Sequence, residues 1–192
     1  MHDKRQAILT AAQTLLARYG FHGFSMKQLA REAGMAAGTL YLYFQDKETL
    51  ISELHREIVV DLGREWFAGQ DTNKAPRDQY QDCWLKLWDI CTRNADRVMC
   101  KNQFDNLPPA SHRALAENAQ VGFQPLYALL RAARERKLLK PLSDEVLLSL
   151  SVETCLSLAR KQIMGLIDLD EATCRQAAAA SWDAIAVNPS DV

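Results

Sequence analysis

Residues 25–47, SMKQLAREAGMAAGTLYLYFQDK, constrain the fold of this chain more than any other stretch. Met26, Leu29, Ala30 and Ala33 recur at i, i+3, i+4 and i+7, the spacing of one buried helical stripe. Ser25 precedes the stripe with Gln28 three residues on, the signature of a capping box. Gly34 follows the stripe, where a left-handed residue closes a helix at little cost. A second helix is expected at once, with Leu40 and Phe44 as i, i+4 neighbours on its inner side. At 100° per residue its outer side is Leu42, flanked by Gly38 and Thr39, with Tyr41 and Tyr43 on the margins. Two short helices joined around a glycine make a helix-turn-helix, whose second helix fits the major groove of DNA.

The spelling carries a resemblance as well as the pattern. Leu29-Ala30, Ala33-Gly34-Met35, Gly38-Thr39-Leu40-Tyr41 and Tyr43-Phe44, followed by Lys47 and Leu50, resemble the TetR family of bacterial one-component regulators, in its AcrR-like, drug-responsive form. The resemblance is carried by about residues 5–55. It implies a second helix that reads DNA, and a remainder that binds a small molecule and dimerises. It also makes Lys47 a phosphate contact. Two positions depart from the family's habit. Ala36 stands where a serine usually caps the recognition helix, and Ala37 where a lysine is common.

The expected DNA face follows. Ser25, Lys27, Thr39, Tyr41, Tyr43 and Lys47 are assigned to phosphates, and Ala37, Gly38 and Leu42 to base edges. Ala37 and Leu42 offer no hydrogen bonds, so they suit apolar features such as a thymine methyl, and DNA shape carries more of the specificity. Charge agrees: residues 1–47 hold six basic side chains against three acidic, an excess of +3, while the remainder holds 17 basic against 21 acidic.

The rest of the chain reads as all-α, about nine helices in total, with a head at 1–47 and a ligand-binding and dimerisation domain at 48–192. Ile8, Ala12, Leu15, Leu16 and Tyr19 mark a first helix that Gly20 ends. Asp46 can cap the next, and Leu50, Leu54, Ile58, Leu62 and Trp66 repeat every four residues along a rod ~30 Å long. Such a rod can carry a shift from one end to the other. Residues 69–76, GQDTNKAP, form a linker with Pro76 at a helix start. Tyr80, Cys83, Trp84, Leu87, Trp88 and Cys91 then share helical spacing. Residues 97–104 form a short helix, and Pro125 kinks or splits the helical run at 112–139. Residues 146–158 are too apolar for an exposed helix, and the last helix, about 171–186, is rich in alanine; two copies of this pair suit a homodimeric four-helix bundle.

For a small organic effector, apolar or cationic, the candidate walls are Trp66, Trp84, Trp88, Met99, Phe104, Phe123 and Tyr127. The same aromatic stripe also serves as plain core. Glu153 is the one charge in the apolar run 146–159, and three readings compete for it: a pair with an Arg or Lys of its own or a partner subunit, a gap open to solvent, or a cationic or hydrogen-bonding ligand.

Other classes find little support. No phosphate loop, nucleophile elbow or paired catalytic carboxylates occur, and the four histidines lack metal-ligand spacing, so neither an enzyme nor a metal or cofactor site is expected. Five cysteines without CxxC point to a reducing cytoplasm, with apolar packing as their default and redox sensing as a weak rival. No apolar run approaches ~20 residues, so no membrane span is expected. Two alternatives stay open: a helical interaction adaptor without DNA binding, and a DNA-binding regulator without an effector. Repression rather than activation comes from the family's tendency alone.

Overall fold

The computed structural model describes residues 2–95, 103–104, 107 and 109–187, without the side chains of residue 2 and of 109–114. Among them lie ten α-helices and one 3₁₀ turn, with no strand beyond an isolated antiparallel bridge between Leu139 and Ala186. The all-α expectation holds. The count of about nine agrees; the short helix expected at 97–104 lies largely outside the described residues, and the apolar run that begins at Val146 is broken at Ser151.

Two compact units emerge, 1–62 with 99–122, and 63–98 with 123–192. The functional boundary expected after Lys47 falls at the first residue of α4, inside the first unit.

In the first unit, α1 (His2–Tyr19) is followed by the 3₁₀ turn Phe21–Gly23, then α2 (Met26–Glu32), α3 (Ala37–Tyr41) and α4 (Lys47–Phe67). α6 (Pro109–Gly122) returns to this unit. The predicted stripes meet in one core: Ile8, Ala12, Leu15 and Leu16 of α1, Leu29 and Ala30 of α2, Leu40 of α3, and Leu50, Ile51 and Leu54 of α4. Gly34 carries φ +67°, with Met35 N–H donating to Ala30 O and Gly34 N–H to Arg31 O, so α2 ends in a Schellman motif. This closure is what turns the chain sharply enough to start α3 three residues later.

In the second unit, α5 (Pro76–Arg93) packs against α7 (Gln124–Glu135), α9 (Val152–Ile163) and α10 (Glu171–Ile185), while α8 (Asp144–Leu150) joins α9 and α10. Pro76 does open α5, and Pro125 splits the run at 112–139 into α6 and α7, standing in the first turn of α7 where it costs nothing. The break at Ser151 has a polar cause. Ser151 Oγ donates back to Leu147 O, and Ser151 O accepts from Thr154 Oγ1 and from Ser181 Oγ on α10. Tyr80 Oη of α5 meets Ser181 Oγ at 2.5 Å, so one buried hydroxyl chain fixes three helices at the break. Burial pushes the Tyr80 phenol up to about 12 and holds it as a neutral donor.

Candidate nucleic-acid interface

Five residues make α3, too few to persist without tertiary support. Ala36 at its N-cap supplies no side-chain hydrogen bond, as its identity foretold. The helix is instead held from below. Leu40 is 0% exposed and Phe44, just beyond it, 2%. Their burial turns the opposite side out: Leu42 is 84% exposed, Tyr41 is exposed, and a Cβ built on Gly38 meets nothing within 4 Å. Thr39, half-buried, lies at the edge of this side. Ala37 and Tyr43 are divided between it and the core, against which both partly pack.

Ser25 and Lys27 are exposed at the start of α2. The capping box forms as read, with Gln28 N–H donating to Ser25 Oγ at 3.2 Å and Ser25 N–H to Gln28 Oε1 at 3.4 Å. Asp46 accepts from Thr49 N–H at 2.7 Å, and this bond holds its carboxyl below the usual range.

Lys47 is held by its own chain. The spacing allowed a free surface cation, but the ammonium donates to two backbone carbonyls, Phe21 O and Phe24 O, and lies 4.9 Å and 3.9 Å from the centroids of those residues' rings. Burial holds it below the usual lysine range. It therefore ties the start of α4 to the turn that seats α2. Lys47→Met keeps the stem and drops the donors, leaving two carbonyls short of a partner. It should lower stability by about 1–3 kcal/mol, read by thermal melting. An unchanged melt would show that the ammonium does not hold this turn in place.

Arg5 was not legible as a site residue. It bonds Glu53 at 2.5 Å and Glu57, and lies 5.6 Å from the centroid of the Phe44 ring. The hydrogen bond it donates to Glu57 is the main reason its guanidinium is held above its ordinary range. The i, i+4 spacing of the two glutamates on α4 was visible; that α1 crosses them was not.

The effector candidates separate. Phe104 belongs to the first unit's core, edge-on to His55 at 4.7 Å, which corrects its place as a pocket wall. Met99 lies outside the described residues. Trp66, 2% exposed, donates its indole N–H to Cys83 O at 2.7 Å and meets Phe123 edge-on at 5.5 Å. Trp84 and Trp88 stack in parallel, 6.0 Å apart and 5° from coplanar. Trp84 is 1% exposed, and its indole N–H has no hydrogen-bond partner among the described residues. Tyr127 is half-buried, and burial raises its phenol.

Glu153 is exposed rather than buried. The helix starts afresh at Val152, which puts the carboxylate in a first turn, where the dipole favours it. Within this single chain the carboxylate pairs with no buried group among the described residues and faces outward, where a ligand or the Arg or Lys of a partner subunit would meet it. Cys83, Cys91, Cys155 and Cys174 are all buried. Burial pushes the Cys83 thiol up to about 11 and Cys155 well above its ordinary value, the opposite of a reactive thiol. Among the described residues, no helix is long and apolar enough to cross a membrane.

Comparison with known proteins agrees with this geometry. The family model "Bacterial regulatory proteins, tetR family" matches residues 8–54, and "Tetracyclin repressor-like, C-terminal domain" matches 76–186. A TetR family protein from Vibrio parahaemolyticus has a solved structure that is similar at 36% identity, covering 96% of this chain and 100% of that one, with a TM-score of 0.83. The solved TetR-family regulator of Haemophilus influenzae Rd is 28% identical over 97% of this chain and 98% of its own, with a TM-score of 0.80. An uncharacterized HTH-type transcriptional regulator of that species aligns at 28% identity over 183 residues, 95% of this chain and 96% of its length. A core-locked α3 with an open outer side, an N-terminal match to one family model and a C-terminal match to another converge on one conclusion: the chain belongs to the TetR family and is a DNA-binding transcriptional regulator with an N-terminal helix-turn-helix.

Proposed function

We propose that this regulator is a repressor that binds a palindromic operator as a homodimer and leaves it when the second unit takes up a small organic molecule. The observation that carries the DNA half is the burial of Leu40 and Phe44 beneath an exposed Gly38, Tyr41 and Leu42. Ser25, Lys27, Thr39, Tyr41 and Tyr43 serve phosphates, joined by whatever donor Lys47 retains, and Ala37, Gly38 and Leu42 face base edges. The functional division is a reading head at 1–47 and an effector and dimer part at 48–192. The homodimer uses the last two helical segments: Ala172 and Ala180 of α10 are exposed, and small side chains let helix axes approach closely. Such a protein works where the chromosome is, in the cytoplasm.

The effector is a neutral organic molecule rather than a cation. With Glu153 exposed, the buried polar side chains of the second unit, among the described residues, are Ser151 and Ser181. A charged guest there would meet no counter-ion. The parallel Trp84–Trp88 pair and the unpaired Trp84 N–H suit a flat molecule with a hydrogen-bond acceptor, and this supports the drug-responsive form of the family.

Selection of duplexes from random-sequence DNA by the full-length protein tests the reading. It should return an inverted repeat, bound by two protomers, with affinity falling steeply as salt rises. Failure to enrich any sequence would favour the helical adaptor. A panel of neutral aromatic ketones and aromatic cations, scored by operator release, tests the effector. Release by the cations alone would overturn the neutral class.

A further inference from the structure

A cleft of about 410 Å³ opens in the first unit beside the recognition helix. α1 contributes Asp3, Lys4 and Ala7, the turn at 33–36 contributes its small side chains and Met35, and α3 contributes Thr39. Thr39 belongs also to the outer side of α3, so the cleft is continuous with the surface that faces DNA. Its chemistry is divided. Ala7, Met35 and Ala36 in its lining bring apolar side chains, which suit the carbon face of a sugar. The lining also includes Lys4, which is exposed and without an ion-pair partner among the described residues, and Thr39, so an ammonium and a hydroxyl are at hand as donors. Gly34 at the turn is exposed, and a Cβ built on it meets nothing within 4 Å. One charge points the other way. Asp3, in the first turn of α1 where the helix dipole favours a carboxylate, lines the same cleft.

We propose that this cleft seats one deoxyribose and its phosphate from each operator half-site, with Lys4 and Thr39 as donors and Asp3 as a built-in opposing charge. The inference rests on the DNA-binding reading above. It places a phosphate contact on α1, outside the helix-turn-helix itself, and makes the first turn of α1 a setting for affinity that leaves base preference alone.

The test uses the full-length protein and an inverted-repeat duplex that the wild type has selected from random DNA; failure to select one counts against the DNA reading and not against the cleft. Lys4→Gln should weaken binding at least threefold on every sequence and reduce the salt slope by about 0.9 for each phosphate lost. Asp3→Asn should tighten binding in the same assay. Methylphosphonate substitution, one phosphate at a time, should reveal a position where wild type loses affinity and Lys4→Gln loses none further. Thermal melts of both variants, superposable on wild type, confirm that folding is not the cause. A wild-type salt slope in Lys4→Gln, or methylphosphonate losses that add to it at every position, would overturn the proposal. So would an Asp3→Asn variant that binds no tighter.

Discussion

Replacing Leu40 by alanine is expected to unseat the recognition helix, at a cost of about 2–5 kcal/mol and with loss of operator binding on every sequence. The size of the effect comes from how little else holds α3. Five residues cannot nucleate a helix alone, Ala36 gives it no side-chain cap, and Gly38 lies inside it. What remains is the core beneath, where Leu40 at 0% exposure is the one fully buried residue of the helix. Leu42→Ala is the control. That side chain is 84% exposed, so its loss should move stability by no more than about 0.5 kcal/mol while changing base preference at one position of each half-site. Thermal melting and mobility shift on the two variants separate the faces. Should Leu42→Ala unfold the protein as Leu40→Ala does, the helix is rotated from the orientation that the DNA reading needs.

What could be read from the sequence was local. The capping box at Ser25, the left-handed Gly34, the cap at Asp46 and the inward Leu40 and Phe44 each follow from a residue and its neighbours within one turn or two. The stripe on α5 was legible for the same reason, since Tyr80, Cys83, Trp84, Leu87 and Cys91 obey one helix's period. Glu153 went astray because its environment depended on a break two residues earlier. That break is held by Tyr80 and Ser181, which lie 71 and 30 positions away from Ser151. Phe104 failed likewise: an aromatic residue near the middle of the chain gives no sign of which of two cores it will enter. Lys47 was placed in the right turn of the right helix, but its partners are carbonyls, which no sequence pattern marks.

Gly122 shows the limit most plainly, and it carries the second large effect. Nothing in its surroundings singled it out, yet a Cβ there would lie 2.6 Å from Val59 O and 2.8 Å from Val59 C. Both atoms are backbone of α4, so neither can swing aside as a side-chain tip would. One turn earlier on α6, Asn118 Nδ2 donates to Ser52 O of α4 at 3.1 Å, which fixes the same seam from the other end. Gly122→Ala must therefore push α6 off α4 or strain both. Overpacking of this kind costs about 1–3 kcal/mol, and for a chain of this size each kcal/mol lowers the melting temperature by about 2–4 °C. Operator affinity should fall as well, because α4 places Leu50, Ile51 and Leu54 in the core on which α3 rests, and α6 adds Leu115 to its margin. Asn118→Ala relaxes the seam without adding bulk, so it should cost less, about 1 kcal/mol, and leave more DNA binding intact. If Gly122→Ala melts and binds as wild type does, α6 and α4 are not in contact there. If it melts as wild type but binds DNA less tightly, the seam sets the pose of α4 without contributing to stability, and the position of that helix governs the reading head.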